Sequence, residues 1–418
     1  MNYRISHPTK KLSGTITLTA SKSESNRVLM IQALCAENFP IENIAAAEDT
    51  VRMKDILQSY QSFRGHENTF DIGAAGTTMR FLTAYFSTKI GTHIITGSER
   101  MKKRPIGILV EALKKLGADI EYMEERGYPP VKIRGKVMKG GEVEMDGSVS
   151  SQFVSALLLI APELQNGLVI RFKGEVTSRP YINMTLKMME EFRVYGQWHD
   201  NTISVSQQNY HRKSEEDYRY TIEADWSSAS YWYAMAALAE EADLKIMGLK
   251  HPSLQGDAVL ADVFTFFGIK TEYIDGGIRI TKNKVKEEHF GFDFSDCPDI
   301  AQTIAVVAGA MNISALFNGL HTLRIKETDR LEALKTELLR IGTEVEILSD
   351  SSIKIMPSPE LFHPASISTY DDHRMALAFT ALAMKEEIVI ENVDVVKKSY
   401  PAFWDDLKKM GFKVEVSG

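Results

Sequence analysis

The chain has 418 residues, of which 44% are hydrophobic and 25% are charged, and its formal net charge is −7. This length favours two domains of about 200 residues each, with enough apolar material for real cores. The negative charge argues against a general nucleic-acid binder, which needs a basic face to replace counterions.

Cysteine content and hydropathy exclude further classes of protein. The two cysteines, Cys35 and Cys297, are too few for a disulfide framework or a cysteine zinc site. No window offers the run of about 18 apolar residues that a membrane helix requires, and the N-terminal residues lack the apolar core of a signal peptide. We therefore expect a cytoplasmic protein that has no membrane partner.

In chain order, the sequence predicts six strongly apolar helices, each preceded by a small or polar turn. Their starts are marked by Lys22, Gly76, Ser150, Ser227, Asp299 and His373. The first two markers are 54 residues apart, and the later ones follow at intervals of 72–77 residues. Self-similarity at a fixed spacing is typical of a repeat architecture. The sequence therefore predicts six repeats, the first shortened by about 20 residues.

Each repeat also predicts a second, amphipathic helix and short β-rich runs. Examples of this helix are IGILVEALKKLG, VLADVFTFFG and RLEALKTELLRIG. Each ends at a glycine, as expected of a left-handed C-terminal cap, and alternating strand-like residues follow. The repeat is predicted as strand–helix–strand–helix–strand–strand, which gives an α/β fold (α+β in its mixed sheets) with helices covering sheets. Three repeats per domain would give two similar halves, with the active centre expected between them.

The starts of the apolar helices share a chemical property. Serine, threonine, aspartate or glycine at these positions leaves backbone N–H groups free to bind an anion, which the helix dipole also favours. Serine and aspartate are also ordinary N-caps, so a single start carries little weight, whereas six converging starts favour a site for a polyanion.

Cationic residues recur close to these turns. An isolated lysine or arginine is usually a solvated surface residue, but a bulky cation has no packing reason to sit beside an apolar helix start. Phosphate and carboxylate groups are recognised by such side chains. The candidates are Lys22, Arg27, Arg104, Lys326, Arg330, Arg374 and Lys398.

Acid–base candidates lie in the same segments. Asp299 and Glu327 are the first choices, with Lys22 and His373 as further possibilities. Asp299 could instead be a helix N-cap and Glu327 a favourable first-turn charge, but a carboxylate buried among arginines stays ionised and can accept a proton. The sequence has no Walker loop, no GxGxxG after a strand, no HExxH and no nucleophile elbow, so we expect neither a metal ion nor a cofactor.

These segments resemble one family, the 5-enolpyruvylshikimate-3-phosphate synthases (EPSP synthases). The matching motifs follow the family's order over nearly the whole chain. They are SKSESNR (21–27), AGTTMR (75–80), RMKKRPIG (100–107), GSVSSQF (147–153), SRPYI (178–182), QGD (255–257), PD (298–299), RIKETDRL (324–331), DDHRMA (371–376) and KKSYP (397–401). KETDR and DHRMA are highly specific to this family.

The resemblance implies an architecture and a reaction. It implies two domains of three βαβαββ units, each around a pseudo-threefold axis, with the active site in the interdomain cleft. One domain would contain residues 1–20 and 225–418, and the other residues 21–224, in which the repeat shortened between 50 and 76 lacks part of a strand–helix segment. The implied reaction transfers the enolpyruvyl group of phosphoenolpyruvate to the 5-hydroxyl of shikimate 3-phosphate and releases phosphate, in the pathway to chorismate and the aromatic amino acids.

The resemblance also implies roles for individual residues. Asp299 would be the base for the 5-hydroxyl, and Glu327, helped by Lys22, would carry the proton to and from the methylene carbon. Shikimate 3-phosphate would be held by Lys22, Ser23, Arg27, Ser150, Ser151, Gln152, Ser178, Tyr181, Asp299 and Lys326. Phosphoenolpyruvate would be held by Lys22, Gly76, Arg104, Gln152, Arg330, Arg374 and Lys398.

Three positions depart from the family pattern, among them Thr322, which stands four residues before Lys326 where asparagine is common, and two other functions remain open. Ala74 and Ala20 replace the usual asparagine of GNAGT and the glycine of GSKS, while the acid, base and most cationic positions are kept. The sister enzyme that acts on UDP-N-acetylglucosamine is an alternative, although RMKKRPIG lacks the cysteine or aspartate expected of it there. A non-catalytic protein that binds phosphorylated metabolites is the other. The expected partners are small-molecule substrates only, and the family resemblance predicts a monomer.

Overall fold

A computed structural model describes residues 1–62, 67–214, 217–285, 288–358 and 366–417. The chain forms two compact units. Unit 1 contains Met1–Ala20 and Glu223–Gly418, and unit 2 contains Ser21–Ile222. The domain boundaries at 20/21 and 224/225 stay a prediction.

Short strands alternate with helices along both units. The strands are β1 (Asn2–Ser6), β2 (Lys11–Thr17), β3 (Ile41–Glu42), β4 (Glu67–Asp71), β5 (Gly91–Thr96), β6 (Asp119–Tyr122), β7 (Val131–Gly135), β8 (Gly141–Asp146), β9 (Leu168–Lys173), β10 (Gly196–His199), β11 (Thr202–Val205), β12 (Tyr220–Thr221), β13 (Glu241–Met247), β14 (Ile269–Ile274), β15 (Gly277–Lys282), β16 (His289–Asp293), β17 (Ser314–Asn318), β18 (Glu344–Ser349), β19 (Ser352–Met356), β20 (Ser366–Ile367), β21 (Ile388–Ile390) and β22 (Lys413–Ser417).

The α-helices are α1 (Lys22–Leu34), α2 (Glu48–Ser62), α3 (Gly76–Thr88), α4 (Glu99–Lys102), α5 (Gly107–Lys115), α6 (Ser151–Ile160), α7 (Arg179–Glu191), α8 (Trp226–Leu238), α9 (Leu260–Phe266), α10 (Ala301–Ala310), α11 (Arg330–Arg340), α12 (His373–Thr380) and α13 (Phe403–Lys409). Three 3₁₀ helices bear on the site: Pro298–Ile300, His321–Ile325 and Val393–Lys398.

Five four-stranded sheets share one topology. In each, two parallel strands are extended by two antiparallel strands, as when β4 pairs with β5, β5 with β7 and β7 with β6. The strand orders are β4-β5-β7-β6, β8-β9-β11-β10, β2-β13-β15-β14, β16-β17-β19-β18 and β20-β21-β1-β22. The expected strand–helix–strand–helix–strand–strand order and the mixed α/β fold class are confirmed.

The sheet of the first repeat is smaller. In the described residues it has only β12 and β3, which pair in parallel at Tyr220↔Ile41 and Thr221↔Glu42. Both helices of this repeat, α1 and α2, are present. Between α2 and β4, the described residues contain no antiparallel strand pair like the one that follows the second helix in the other repeats. The loss of part of a strand–helix segment stays a prediction.

The first helix of each repeat forms the core of its unit. In unit 1, α8, α10 and α12 contact one another, and in unit 2 the same is true of α1, α3 and α6. Apart from α1, these helices are apolar or small-sided around most of their circumference, and most of their residues are buried. Such helices belong in a core rather than at a surface. No helix in the described ranges is long and apolar enough to cross a membrane.

Candidate active site

In unit 1, the first turns of the three central helices lie side by side. Ser230 on α8 and Thr303 on α10 have hydroxyl oxygens 3.2 Å apart. Gln302 on α10 donates its amide N–H to the Met375 sulfur on α12 at 3.1 Å. The N-terminal parts of the helices of three repeats therefore lie close together in this unit.

Arg330, at the start of α11, is the centre of a buried ion-pair cluster. Its side chain is 1% exposed, and its Nε and Nη2 donate to the two carboxylate oxygens of Asp372 at 2.7 and 3.2 Å. Nη2 also donates to Glu327 at 3.0 Å, and Nη1 donates to Asp299 at 3.2 Å. A buried guanidinium is tolerated only with such complete pairing, and its planar fork suits a two-pronged contact with a carboxylate.

Asp299 joins three cations. It lies in the 3₁₀ helix that leads into α10, and besides Arg330 it pairs with Arg374 at 3.0 Å and Lys326 at 3.4 Å. Its side chain remains 24% exposed. A partly exposed carboxylate beside several cations can meet a substrate hydroxyl and stay ionised to accept its proton.

Glu327 and Lys398 form a second partly exposed pair. The Lys398 ammonium lies 2.7 Å from Glu327 Oε1, while Arg330 holds the other carboxylate oxygen. Lys398 ends the 3₁₀ helix Val393–Lys398, so this pair brings a distant part of the chain to the start of α11. A carboxylate held by two cations on its two oxygens has a fixed orientation, which a proton carrier needs.

Arg374 connects the cluster to α8. It donates to the Tyr231 hydroxyl at 3.2 Å and to the Ser227 hydroxyl at 3.4 Å, and Ser227 in turn donates to Asp257. Its backbone N–H is capped by Asp372 at 2.9 Å. Arg374 is buried, so these contacts fix its guanidinium in one position.

In this cluster, the pKa of Lys326 shifts in the opposite direction to the pKa values of the two arginines. Burial alone would lower the pKa of Arg330, but the carboxylates of Asp372, Glu327 and Asp299 raise that pKa above its usual value. Burial likewise opposes, and Asp299 supports, the raised pKa of Arg374. The pKa of Lys326 is lowered, because burial outweighs the nearby Asp299 charge. The charge of Lys326 is therefore lost at a lower pH than that of an ordinary lysine.

In unit 2, Arg27 joins three helices. From α1 it donates to Thr185 Oγ1 at 2.8 Å, to Ser155 Oγ at 3.0 Å and to the carbonyls of Ser23 and Tyr181 at 2.8 and 3.2 Å. Burial lowers the pKa of Arg27 to about 10, which still leaves it charged at neutral pH. Most of its donors are used within the protein.

Gly76 lies beneath two arginines in the same unit. A Cβ at this position would come within 2.5 Å of Arg104 Nη1 and 2.8 Å of Arg80 Nη1, so only glycine allows both guanidinium groups to approach the first turn of α3. Next to it, Thr77 accepts a hydrogen bond from the Gln152 amide at 3.2 Å. The first turns of α3 and α6 therefore meet as well.

The remaining predicted residues of unit 2 occupy helix starts. Lys22 follows the N-cap Ser21, Ser150 caps α6 and Ser151 is its first residue. Ser178 precedes α7 with a left-handed backbone (φ 54°). Unit 1 thus brings Asp299, Lys326, Glu327, Arg330, Arg374 and Lys398 into one cluster. Unit 2 brings Arg27 to Ser23 and Tyr181, and Arg104 to Gly76.

Sequence reasoning missed several members of the site. Asp372 was quoted within DDHRMA without a role, yet it is fully buried and caps α12. Its place directly before an apolar helix was the available signal. Tyr231 and Arg80 gave no such signal, because each stands inside an apolar helix. His373 is buried, with Nδ1 3.7 Å from Asp372.

One local expectation was wrong. The alternation of the charged Arg324 with the apolar Ile325 predicts a strand before KETDR, but residues His321–Ile325 form a 3₁₀ helix. Arg324 and Asp329 nevertheless have a structural role, since Asp329 caps α11 and accepts a hydrogen bond from Arg324 at 2.8 Å. Among the residues that the structure describes, no group of three His, Cys, Asp or Glu could hold a metal ion.

Similarity to known proteins extends over nearly the whole chain and points to one family. The sequence model of the EPSP synthase (3-phosphoshikimate 1-carboxyvinyltransferase) family matches residues 6–407. The chain is 46% identical to the 3-phosphoshikimate 1-carboxyvinyltransferase of Bacteroides fragilis, over 100% of this chain and 99% of that protein. It is 38% identical to the protein of the same name from Haemophilus influenzae, over 97% of this chain and 98% of that one.

A solved structure has the same fold. An EPSP synthase from Acinetobacter baumannii superposes with a TM-score of 0.77 at 20% sequence identity, covering 99% of this chain and 100% of that chain. At this identity the likeness concerns the fold alone.

Proposed function

This chain belongs to the EPSP synthase family, and on that basis we propose that it transfers the enolpyruvyl group of phosphoenolpyruvate to the 5-hydroxyl of shikimate 3-phosphate. Phosphate is the second product, and the chain acts as a transferase. The observation that carries the proposal is the cluster in unit 1, in which Asp299 and Glu327 are held by Arg330 and by further cations. Binding alone needs no pair of oriented carboxylates, whereas addition and elimination need both a base and a proton carrier.

In the addition step, Asp299 accepts the proton of the 5-hydroxyl while the hydroxyl oxygen bonds to C2 of phosphoenolpyruvate. A proton from Glu327 reaches the methylene carbon, which becomes a methyl group. Arg330, Arg374 and Lys326 support this assignment because they surround Asp299 at 3.0–3.4 Å and stabilise its ionised form.

In the elimination step, a proton returns from the methyl group to Glu327, and the C2–O bond to phosphate breaks. The double bond re-forms on the transferred group. Lys398 at 2.7 Å and Arg330 at 3.0 Å hold the two oxygens of Glu327, which keeps it oriented through both transfers. On the basis of the family resemblance, we assign Lys22 a role in assisting this proton transfer.

The substrates carry several negative charges, which matches the cations assigned to them. Shikimate 3-phosphate is assigned to Lys22, Ser23, Arg27, Ser150, Ser151, Gln152, Ser178, Tyr181, Asp299 and Lys326. Phosphoenolpyruvate is assigned to Lys22, Gly76, Arg104, Gln152, Arg330, Arg374 and Lys398. A monomer in the cytoplasm is proposed from the family resemblance, and sedimentation at micromolar concentration tests the monomer.

Purified protein mixed with both substrates tests the reaction. Phosphate should be released only when both are present, and mass spectrometry should find an acceptor enlarged by one enolpyruvyl group. The same assay with UDP-N-acetylglucosamine as acceptor should give no product. Binding of both substrates without phosphate release, by a protein with an intact melting transition, would instead identify a non-catalytic binder.

A further inference from the structure

Asp372 has two structural roles at one buried position. It is fully buried, accepts two hydrogen bonds from Arg330 and caps α12 through the Arg374 N–H. It therefore sets the position of two of the arginines assigned to phosphoenolpyruvate. Its own placement depends on the residues that precede it.

Those residues have an unfavourable backbone. Tyr370 and Asp371 are consecutive non-glycine residues with φ of 54° and 55°. The left-handed region is rarely occupied by such residues, and it persists only where the surroundings hold it. The turn is closed by the Asp372 N–H, which donates to the Thr369 carbonyl at 2.8 Å.

Glu337 on α11 holds this turn by hydrogen bonds. It is fully buried and accepts hydrogen bonds from the Tyr370 hydroxyl at 2.6 Å and the Ser368 N–H at 3.3 Å. Its charge is balanced by Arg340 at 3.3 Å. On the other side of the turn, Asn392 donates its amide to Asp371 at 2.7 Å.

Glu337 also shares a helix with Arg330. The two residues are seven apart, which is two helical turns, so both project from one face of α11. One end of this face presents Arg330, and the other end holds the turn that presents Asp372 to Arg330. The contacts form a closed chain from Glu337 through Tyr370 and Asp372 to Arg330.

We propose that Glu337 and Tyr370 are positioning residues for the transfer reaction: their hydrogen bond holds the left-handed turn at 370–371, which orients Asp372 and thereby the guanidinium of Arg330. The assignment rests on the proposed function, since Arg330 is placed on phosphoenolpyruvate there. Neither residue is required to touch a substrate.

Tyr370→Phe tests the inference with the mildest change, because only the hydroxyl is lost. KM for phosphoenolpyruvate should rise about tenfold, as expected for loss of a hydrogen bond to a charged group, while KM for shikimate 3-phosphate changes little. A purely structural role would lower the amount of folded enzyme without separating the two KM values. Tyr273→Phe, an exposed tyrosine of the same unit, is the matched control and should keep both values.

Glu337 variants give a second comparison. Glu337→Gln keeps one oxygen that can accept from Tyr370 but turns an NH2 group toward the Ser368 N–H and Arg340, so it should raise KM for phosphoenolpyruvate less than Glu337→Ala does. Glu337→Ala should resemble Tyr370→Phe, and adding Tyr370→Phe to it should cause no further rise in KM. An additive double variant would overturn the inference, as would a Tyr370→Phe enzyme with an unchanged KM for phosphoenolpyruvate.

Hydrogen exchange separates this inference from the proposed function. In Tyr370→Phe, the amides of Asp372 and Arg374 should exchange faster than in wild type, whether or not the protein turns over these substrates. Unchanged exchange at both amides would contradict the positioning role, while absent phosphate release by the wild type would contradict the proposed function.

Discussion

The contacts of single residues explain why the cluster combines buried and accessible charges. Arg330 and Asp372 are fully buried and pair through two hydrogen bonds, so removing either would leave an uncompensated charge at a cost of about 3–5 kcal/mol. Asp299 and Lys326 keep about a quarter of their side-chain surface exposed. The buried Arg330–Asp372 pair is therefore fixed in position, and the exposed charges are accessible to substrates.

The lowered pKa of Lys326 predicts a pH dependence. If its ammonium binds shikimate 3-phosphate, kcat/KM for that substrate should fall as pH rises through the lowered pKa, earlier than an ordinary lysine would allow. Lys326→Arg keeps its charge and should move the fall to higher pH. Lys408→Arg, at an exposed position on α13, should leave the profile unchanged. A profile identical in wild type and Lys326→Arg would contradict this role.

The pH dependence that Lys326 gives to folding stability has the opposite sign. Because the folded pKa of Lys326 lies below the unfolded one, the unfolded chain binds this proton more tightly. The contribution of Lys326 to stability therefore rises with pH between the two pKa values. A loss of substrate affinity in this range would not reflect unfolding at this residue.

Residue types predicted part of the cluster. Lys326, Arg330, Arg374 and Lys398 stood beside apolar helix starts, where packing gives no reason for a cation, and their roles toward substrates stay predictions. Asp372 was missed because an aspartate before a helix is an ordinary N-cap, and its second role toward Arg330 depends on a partner 42 positions away.

At the scale of elements, caps and burial determine where the site residues stand. Asp329 caps α11 by accepting from the N–H groups of Leu331 and Glu332, which fixes the helix start at Arg330. Leu331, Leu334 and Leu338 then bury one face of α11. The cap and the apolar face together aim Arg330 into the cluster.

Two neighbouring substitutions should separate stability from activity. Asp329→Ala removes the cap and the Arg324 contact, so it should lower the free energy of unfolding by about 1 kcal/mol with a small effect on kcat. Arg330→Lys keeps the charge but loses the fork on Asp372, so kcat should fall about 10²-fold. Urea unfolding and steady-state kinetics on both variants provide the measurement. The reverse pattern would contradict the structural role of Asp329 and the catalytic importance of Arg330.

Periodicity predicted the long elements better than the short ones. The apolar helices were evident because residues on every face are apolar or small. β3 and β12 have two residues each, too few to show alternation, and their pairing joins positions about 180 apart in the chain. The 3₁₀ helix His321–Ile325 was mistaken for a strand because its short run of alternating residues fits both structures.

At the scale of the whole molecule, distant segments complete the sheets. β1 at the start of the chain pairs with both β21 and β22 at its end, which supplies the fourth strand of the last repeat. In the same way, β12 closes the first repeat of unit 2. The repeat spacing predicted the number of repeats. It could not assign β1 and β12 to their sheets, because pairing between distant parts of the chain leaves no local signal in the sequence.

The boundaries of unit 2 predict an independently folding fragment. Residues 21–222 contain their own helix core and sheets, so this fragment should unfold cooperatively with the helical circular dichroism of a native protein. A shorter fragment, 21–206, lacks β12 and should unfold at a lower urea concentration. Failure of 21–222 to show a cooperative transition would contradict these boundaries.

Asp299 is proposed to accept a proton in the enolpyruvyl transfer, and kcat of Asp299→Asn with both substrates tests this role. Asparagine keeps the size of the side chain but cannot accept this proton, so kcat should fall by about 10²–10⁴. Asp405→Asn, at an exposed aspartate of α13, serves as the matched control and should retain wild-type turnover. A folded Asp299→Asn enzyme with a wild-type kcat would show that Asp299 is not the base.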